Sequence, residues 1–212
     1  VGYAFDGNLS RFAVARYNAN GTIDGAFGTS GVTTTIIGSN AVAQSVYIQP
    51  DGAIVVAGYA TIDDADYFVV ARYDTTGVLD GTFGTGGIVI TAIQNSAQSK
   101  SVILQSNGQI IAAGYSVGDF ETQFALARYS STGTLDTTFG TNGIVLTTVN
   151  DPTCDAASVS EIQTIALQSG DKLIAAGNSN LCYALARYFV AAGTGYSGPT
   201  GNTSCIILRP GN

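Results

Sequence analysis

The sequence predicts an all-β fold, and three observations carry that prediction. First, the four letters "LARY" and their variants recur at a nearly fixed interval. "RFAVARYN", "YFVVARYD", "QFALARYS" and "CYALARYF" place Arg16, Arg72, Arg128 and Arg187 56, 56 and 59 residues apart. A period in this range marks a solenoid, a propeller or another array. Second, the segments between these arginines read as short apolar strands separated by turn residues, with little helical periodicity. Third, only 11% of the 212 residues are charged, while Gly numbers 27, which suits β-structure with tight turns.

Each unit divides into four strands, A to D. Strand A is like Ser45–Gln49 and strand B like Ala53–Tyr59. Strand B is apolar almost throughout, as expected of a strand covered on both faces. Between A and B lie Asp51-Gly52 and Asn107-Gly108, dipeptides that signal a two-residue hairpin. Strand C, like Tyr67–Tyr73, carries the repeated arginine, and strand D is like Gly87–Ala92. Four strands per repeated unit describe the blades of a β-propeller. The expectation is a propeller of about four four-stranded units with a 56-residue period, approximately 1–38, 39–94, 95–150 and 151–212 of one repeat domain. A β-solenoid fits less well, because hairpins recur inside every unit.

The C–D connection is the most regular part. "NGTIDGAFGTSGVTTT", "TGVLDGTFGTGGIVIT" and "TGTLDTTFGTNGIVLT" follow the first three arginines. This "ARY...G.LD..FGT.G" pattern resembles the delta-60 repeat family over nearly the whole chain. The fourth copy keeps "LARY" and loses "LD..FG". The resemblance implies β-propellers of large, mostly bacterial surface or secreted proteins and implies no enzymatic activity.

An arginine in an apolar strand needs a partner. Asp24, Asp80 and Asp136 each stand eight residues after their arginine, and the guanidinium fork suits a carboxylate. Recurrence in every regular unit points to a structural lock on the C–D connection. Phe27, Phe83 and Phe139 are expected to fill space between blades.

Composition also excludes function classes. The net charge of -7 disfavours nucleic-acid binding. No apolar run is long enough to cross a bilayer. The absence of histidine removes the usual general base, triad member and catalytic metal ligand, so no enzyme is expected. Gly193, Gly195 and Gly198 spell G-x-G-x-x-G, but they fall in a degenerate C–D connector with Pro199 close behind and no βαβ context.

An up-down meander puts the B–C loops and D–A links on one side. That side gathers Asp6, Asp63, Asp64, Asp66, Asp119, Glu121, Asp151 and Asp155. Asp63, Asp64, Asp66, Asp119 and Glu121 are the candidates for a calcium or cationic-partner surface. The plainer reading is solvated loops, since regular D-x-D-x-D spacing is missing; no cofactor is expected. Cys154–Cys182 is the preferred disulfide and Cys182–Cys205 the alternative, which would place the chain outside the cell. Asn8, Asn20 and Asn202 open N-x-[ST] sequons.

"VGY" at the start aligns with "AGY" at 57–59, so the first unit begins inside strand B and opens on Val1. An open edge invites completion by the C-terminal segment, by a neighbour or by a longer chain. The functional expectation is a non-catalytic extracellular or cell-surface module, a fibre or array subunit assembling head to tail through strand complementation, with itself or other surface proteins as partners. One alternative is a glycan-binding adhesive propeller using Tyr3, Tyr59, Tyr115, Phe5 and Phe120. Another is a glycan hydrolase using Asp64 and Asp119.

Overall fold

The computed structural model describes residues 1–149, 159–179 and 182–191 and the backbone of 206–208. Those residues form strands and turns and no helix. The first group of strands is β1 (Gly2–Phe5), β2 (Ser10–Ala15) and β3 (Val32–Thr35). A single parallel bridge, Ser10 to Asn40, links it to the second group. That group runs in chain order through β4 (Asn40–Ile48), β5 (Ile54–Ile62), β6 (Ala65–Tyr73) and β7 (Ile88–Thr91). The third is β8 (Ser96–Leu104), β9 (Ile110–Val117), β10 (Thr122–Tyr129) and β11 (Ile144–Thr147), again in meander order. The fourth is β12 (Ser160–Gln168), β13 (Lys172–Ser179), β14 (Cys182–Phe189) and β15 (Ile206–Leu208). Pairing within each group is antiparallel throughout.

The strands alternate faces, so each sheet has two apolar sides and the core lies between sheets. Phe12 and Val14 meet Val56, Val69, Ala71 and Tyr73 between the first two sheets. Val55, Ala57, Phe68 and Val70 meet Ile110, Ala112, Ala125 and Tyr129 between the second and third. Ile111, Phe124 and Leu126 meet Leu173, Ala175, Ala184 and Tyr188 between the third and fourth. The sheets converge at β4, β8 and β12, which touch one another, making these the inner strands. Serine hydroxyls tie them together: Val102 N–H donates to Ser45 Oγ at 3.1 Å and Ile165 N–H to Ser101 Oγ at 3.3 Å.

Strand bounds differ from expectation in one informative way. The inner strand starts earlier, at Asn40 rather than Ser45, because it is broken by a bulge. Equivalent bulges fall between Ala43 and Ser45, Ser99 and Ser101, and Ile162 and Thr164. The A–B turn also differs. Gly52 is left-handed (φ 87°) while Asp51 is not, and Gly52 N–H donates to Gln49 O at 2.9 Å. The geometry is a type I turn closed by a left-handed glycine, not a two-residue hairpin. The true two-residue connection is the next one, where Asp63 and Asp64 are both left-handed (φ 49° and 65°) between β5 and β6.

Candidate functional site

The repeated arginines sit near the end of strand C, where the chain turns into the C–D connection. Arg16 Nε donates to Asp24 Oδ2 at 2.8 Å, Arg72 Nε to Asp80 Oδ2 at 2.8 Å and Arg128 Nε to Asp136 Oδ2 at 2.9 Å. The backbone fixes that spacing, since each aspartate N–H also donates to its arginine's carbonyl. Each guanidinium then stacks over the phenylalanine of its own unit, 4.7, 4.7 and 4.6 Å from the centroids of Phe27, Phe83 and Phe139. Nη1 crosses to the next sheet. It meets Thr75 O from Arg16, Ser131 O at 2.6 Å from Arg72, and Val190 O at 3.1 Å and Ala191 O at 3.2 Å from Arg128.

Two of these carboxylates, Asp80 and Asp136, have a lowered pKa. The Thr82 hydroxyl and N–H, with Arg72, keep Asp80 below the usual range. Burial pushes Asp136 up, but Thr138 and Arg128 together outweigh it and leave its carboxyl lowered. In all three units the guanidinium is committed to an aspartate, a ring and a neighbouring carbonyl, an arrangement that binds sheet to sheet. Arg187 differs: its Nε is buried with no hydrogen-bond partner among the described residues. Gly195 stands where its aspartate would be, outside the described residues.

A second recurring contact had not been expected from the sequence. The tyrosine next to Arg72, Arg128 and Arg187 reaches back to the preceding sheet. Tyr73 and Thr35 hydroxyls lie 2.7 Å apart, Tyr129 and Thr91 2.8 Å, and Tyr188 donates to Thr147 at 3.0 Å. The letters were visible in "ARY" and in the threonine ending strand D, but nothing local couples residues 38 apart.

The acidic loop residues are occupied separately. Asp6 accepts Asn8 N–H and Leu9 N–H and pairs with Arg11. Asp63 and Asp64 are turn residues. Asp66 accepts the Thr61 hydroxyl and the Gln98 amide, both at 2.7 Å. Asp119 accepts Asn95 Nδ2 at 2.7 Å, and Glu121 accepts the Thr148 hydroxyl at 3.1 Å. Among the described residues no three carboxylates or thiols gather into a metal-holding group. Asp151 and Asp155 lie outside the described residues.

One cluster on the inner strands does not repeat. Lys100 occupies the bulge position held by Gln44 and Gln163 in the neighbouring sheets. Its Nζ lies 5.7 Å from the Tyr59 ring centroid and 5.5 Å from that of Tyr115, and donates to Gln98 Oε1 at 3.0 Å. Burial, then the charges of Glu161 and Asp66, push the Tyr115 hydroxyl up to about 12. Tyr59 is raised for the same kind of reason, burial first and Asp66 second.

A family profile described as "Domain of unknown function (DUF5122) beta-propeller" matches residues 1–27, 49–83 and 105–139. Each matched segment ends on the phenylalanine beneath an arginine, so each contains the whole arginine–aspartate–phenylalanine arrangement. The three matched segments are similar to β-propeller repeats. No curated protein matches the chain.

The remaining candidates sit around these repeats. Cys182, at the start of strand C in the fourth repeat, is disulfide-bonded. Cys154 and Cys205 lie outside the described residues, as do Asn202 and the glycines at 193, 195 and 198. Asn8 and Asn20 are exposed, and Asn20 Oδ1 accepts from the N–H and hydroxyl of Thr22, the last residue of its own sequon. Tyr3, Phe5 and Phe120 are exposed, Phe120 almost entirely. Among the described residues no helix is long and apolar enough to cross a membrane.

Proposed function

We propose that this protein is a non-catalytic extracellular structural or interaction module, assembling head to tail with copies of itself into surface fibres or arrays or docking on other surface proteins. The observation that carries the reading is that the repeated charged residues serve contacts between sheets. Arg187 belongs to the same series, and among the described residues its Nε, which in the other units takes the aspartate of the same unit, has no partner. The first sheet offers the complementary features. β1 pairs with β2 alone among the described residues, which leaves its second edge open to a neighbour's strand. Tyr17, the counterpart of the buried Tyr73, Tyr129 and Tyr188, is exposed. The disulfide at Cys182 supports an oxidising compartment.

The test is light scattering with negative-stain microscopy on the purified chain, wild type and Arg187→Gln. Regular polymers that shorten in the variant support head-to-tail assembly. A monodisperse particle at all concentrations removes the fibre reading.

A further inference from the structure

The geometry points to a saccharide-binding surface where β5 and β6 of the second sheet meet β8 and β9 of the third, built from Tyr59, Tyr115, Lys100, Gln98 and Asp66 and suited to a neutral, polyhydroxylated ring. This goes beyond a scaffold role: the tyrosines recur as Tyr3, Tyr59 and Tyr115, but Lys100, Gln98 and Asp66 have no like residue at the equivalent positions of the other units. The repeat keeps a glutamine at the equivalent bulge in two sheets, and a lysine stands only at position 100. That lysine is one of eight basic residues in an acidic chain, and it is neither exposed nor ion-paired in any salt bridge described.

The arrangement has the parts a sugar site needs. Two phenol rings come from adjacent sheets, Tyr59 from β5 and Tyr115 from β9, and both are half-buried and so still reachable. Lys100 Nζ lies over both rings, so the C–H face of a pyranose would stack on the ring area that the lysine leaves exposed, and the phenol hydroxyls offer donors. The raised pKa of both phenols keeps those hydroxyls protonated at neutral and mildly alkaline pH. Polar groups are held in place by a chain of hydrogen bonds. Lys100 Nζ donates to Gln98 Oε1, Gln98 Nε2 to Asp66 Oδ2, and the Thr61 hydroxyl to Asp66 Oδ1. An ammonium, an amide and a carboxylate side by side provide donors and acceptors for vicinal hydroxyls. Glu161, close enough to raise Tyr115, makes two carboxylates against one ammonium. That balance disfavours an acidic sugar. Tyr3, 60% exposed and near enough to influence Tyr59, extends the row of phenols onto the first sheet.

The chain has no tryptophan and 11 tyrosines, so tyrosine emission reports binding directly. The experiment titrates the full chain with cellohexaose, laminarihexaose, xylohexaose, mannohexaose and chitohexaose, with hexagalacturonate as the acidic arm. At least one neutral oligosaccharide is expected to bind at millimolar or tighter affinity and hexagalacturonate not to bind. Lys100→Gln, which installs the residue of the sister repeats, is expected to weaken binding about tenfold or more. Tyr115→Ala is expected to abolish it, and Lys172→Gln on β13 to leave it unchanged. Circular dichroism melts identify any variant that fails to fold, and Tyr115→Phe then keeps the ring and tests the hydroxyl alone. Silence from every neutral oligosaccharide up to about 10 mM overturns the proposal. So does binding of hexagalacturonate alone, or neutral binding that Lys100→Gln leaves intact.

Discussion

Arg128 has 1% of its side chain exposed, Arg72 13% and Arg16 36%, although all three make the same aspartate contact. The same substitution therefore tests how burial sets the worth of one ion pair. Removing the aspartate beside Arg128 strands a guanidinium Nε in a site that water does not reach. Breaking a buried pair in this one-sided way costs about 3–5 kcal/mol. The equivalent change beside Arg16 exposes a group that solvent can serve, and exposed pairs are worth about 1 kcal/mol or less. Asp136→Ala is expected to lower the urea midpoint strongly and Asp24→Ala only slightly. Equal losses would mean that the aspartates act as turn residues, through Thr138 N–H and Ala26 N–H, rather than as counter-ions.

The inner-strand bulges explain the glycine in strand B of the second, third and fourth sheets. An ideal Cβ on Gly58, Gly114 or Gly177 would lie 2.0, 2.0 and 1.9 Å from the carbonyl oxygen of Val42, Gln98 and Glu161 respectively. None of the three has a left-handed φ, so the demand is for space alone. The obstructing atom is backbone and cannot rotate away; Gly114→Ala must push β8 from β9. A loss of about 1–3 kcal/mol, typical of overpacking, is expected from urea denaturation, with faster amide exchange confined to β8 and β9. This bulge was written in the sequence as "AGY" and "AGN", yet its meaning was hidden, because the crowding atom is more than a dozen residues upstream. What could be read was what is local. The arginine–aspartate spacing spans a short antiparallel turn, and the strand order follows from hairpin-length connections. The tyrosine–threonine contacts and the bulge glycines depend on which strand lies opposite, and a single sequence does not specify that. Of the Lys100 cluster, Tyr59 and Tyr115 were legible as candidate ring platforms, while Lys100 was not: it breaks the repeat, so alignment of the units averages it away.

For the molecule as a whole, the titratable groups set a wide plateau of stability with two edges. Histidine is absent, so no side chain of that type changes charge between about pH 5 and pH 9. The acid edge belongs to aspartates such as Asp80 and Asp136, whose carboxyls are lowered in the folded state. Their contribution is present above the ordinary carboxylate value of 3.8 and is lost as pH falls below it. The alkaline edge belongs to the phenols. Burial raises Tyr73 and Tyr129 above 10, and Tyr115 to about 12. A raised folded value means that the unfolded chain ionises first, so this stability is complete below pH 10 and drains away as pH climbs through the folded values. Tyr129 and Tyr73 matter most, because their hydroxyls bridge sheets to Thr91 and Thr35, and a phenolate there would be a buried charge between apolar faces. The melting temperature is thus expected to be level from about pH 5 to pH 9 and to fall steeply above pH 10. Absorbance at the tyrosinate band should show the interface phenols ionising only with loss of the β-sheet circular dichroism signal. Smooth ionisation of all 11 tyrosines, with the sheet signal intact, would mean that the sheets part without unfolding. The tyrosine–threonine contacts would then be replaceable, and the cohesion of the repeats would rest on the arginines alone.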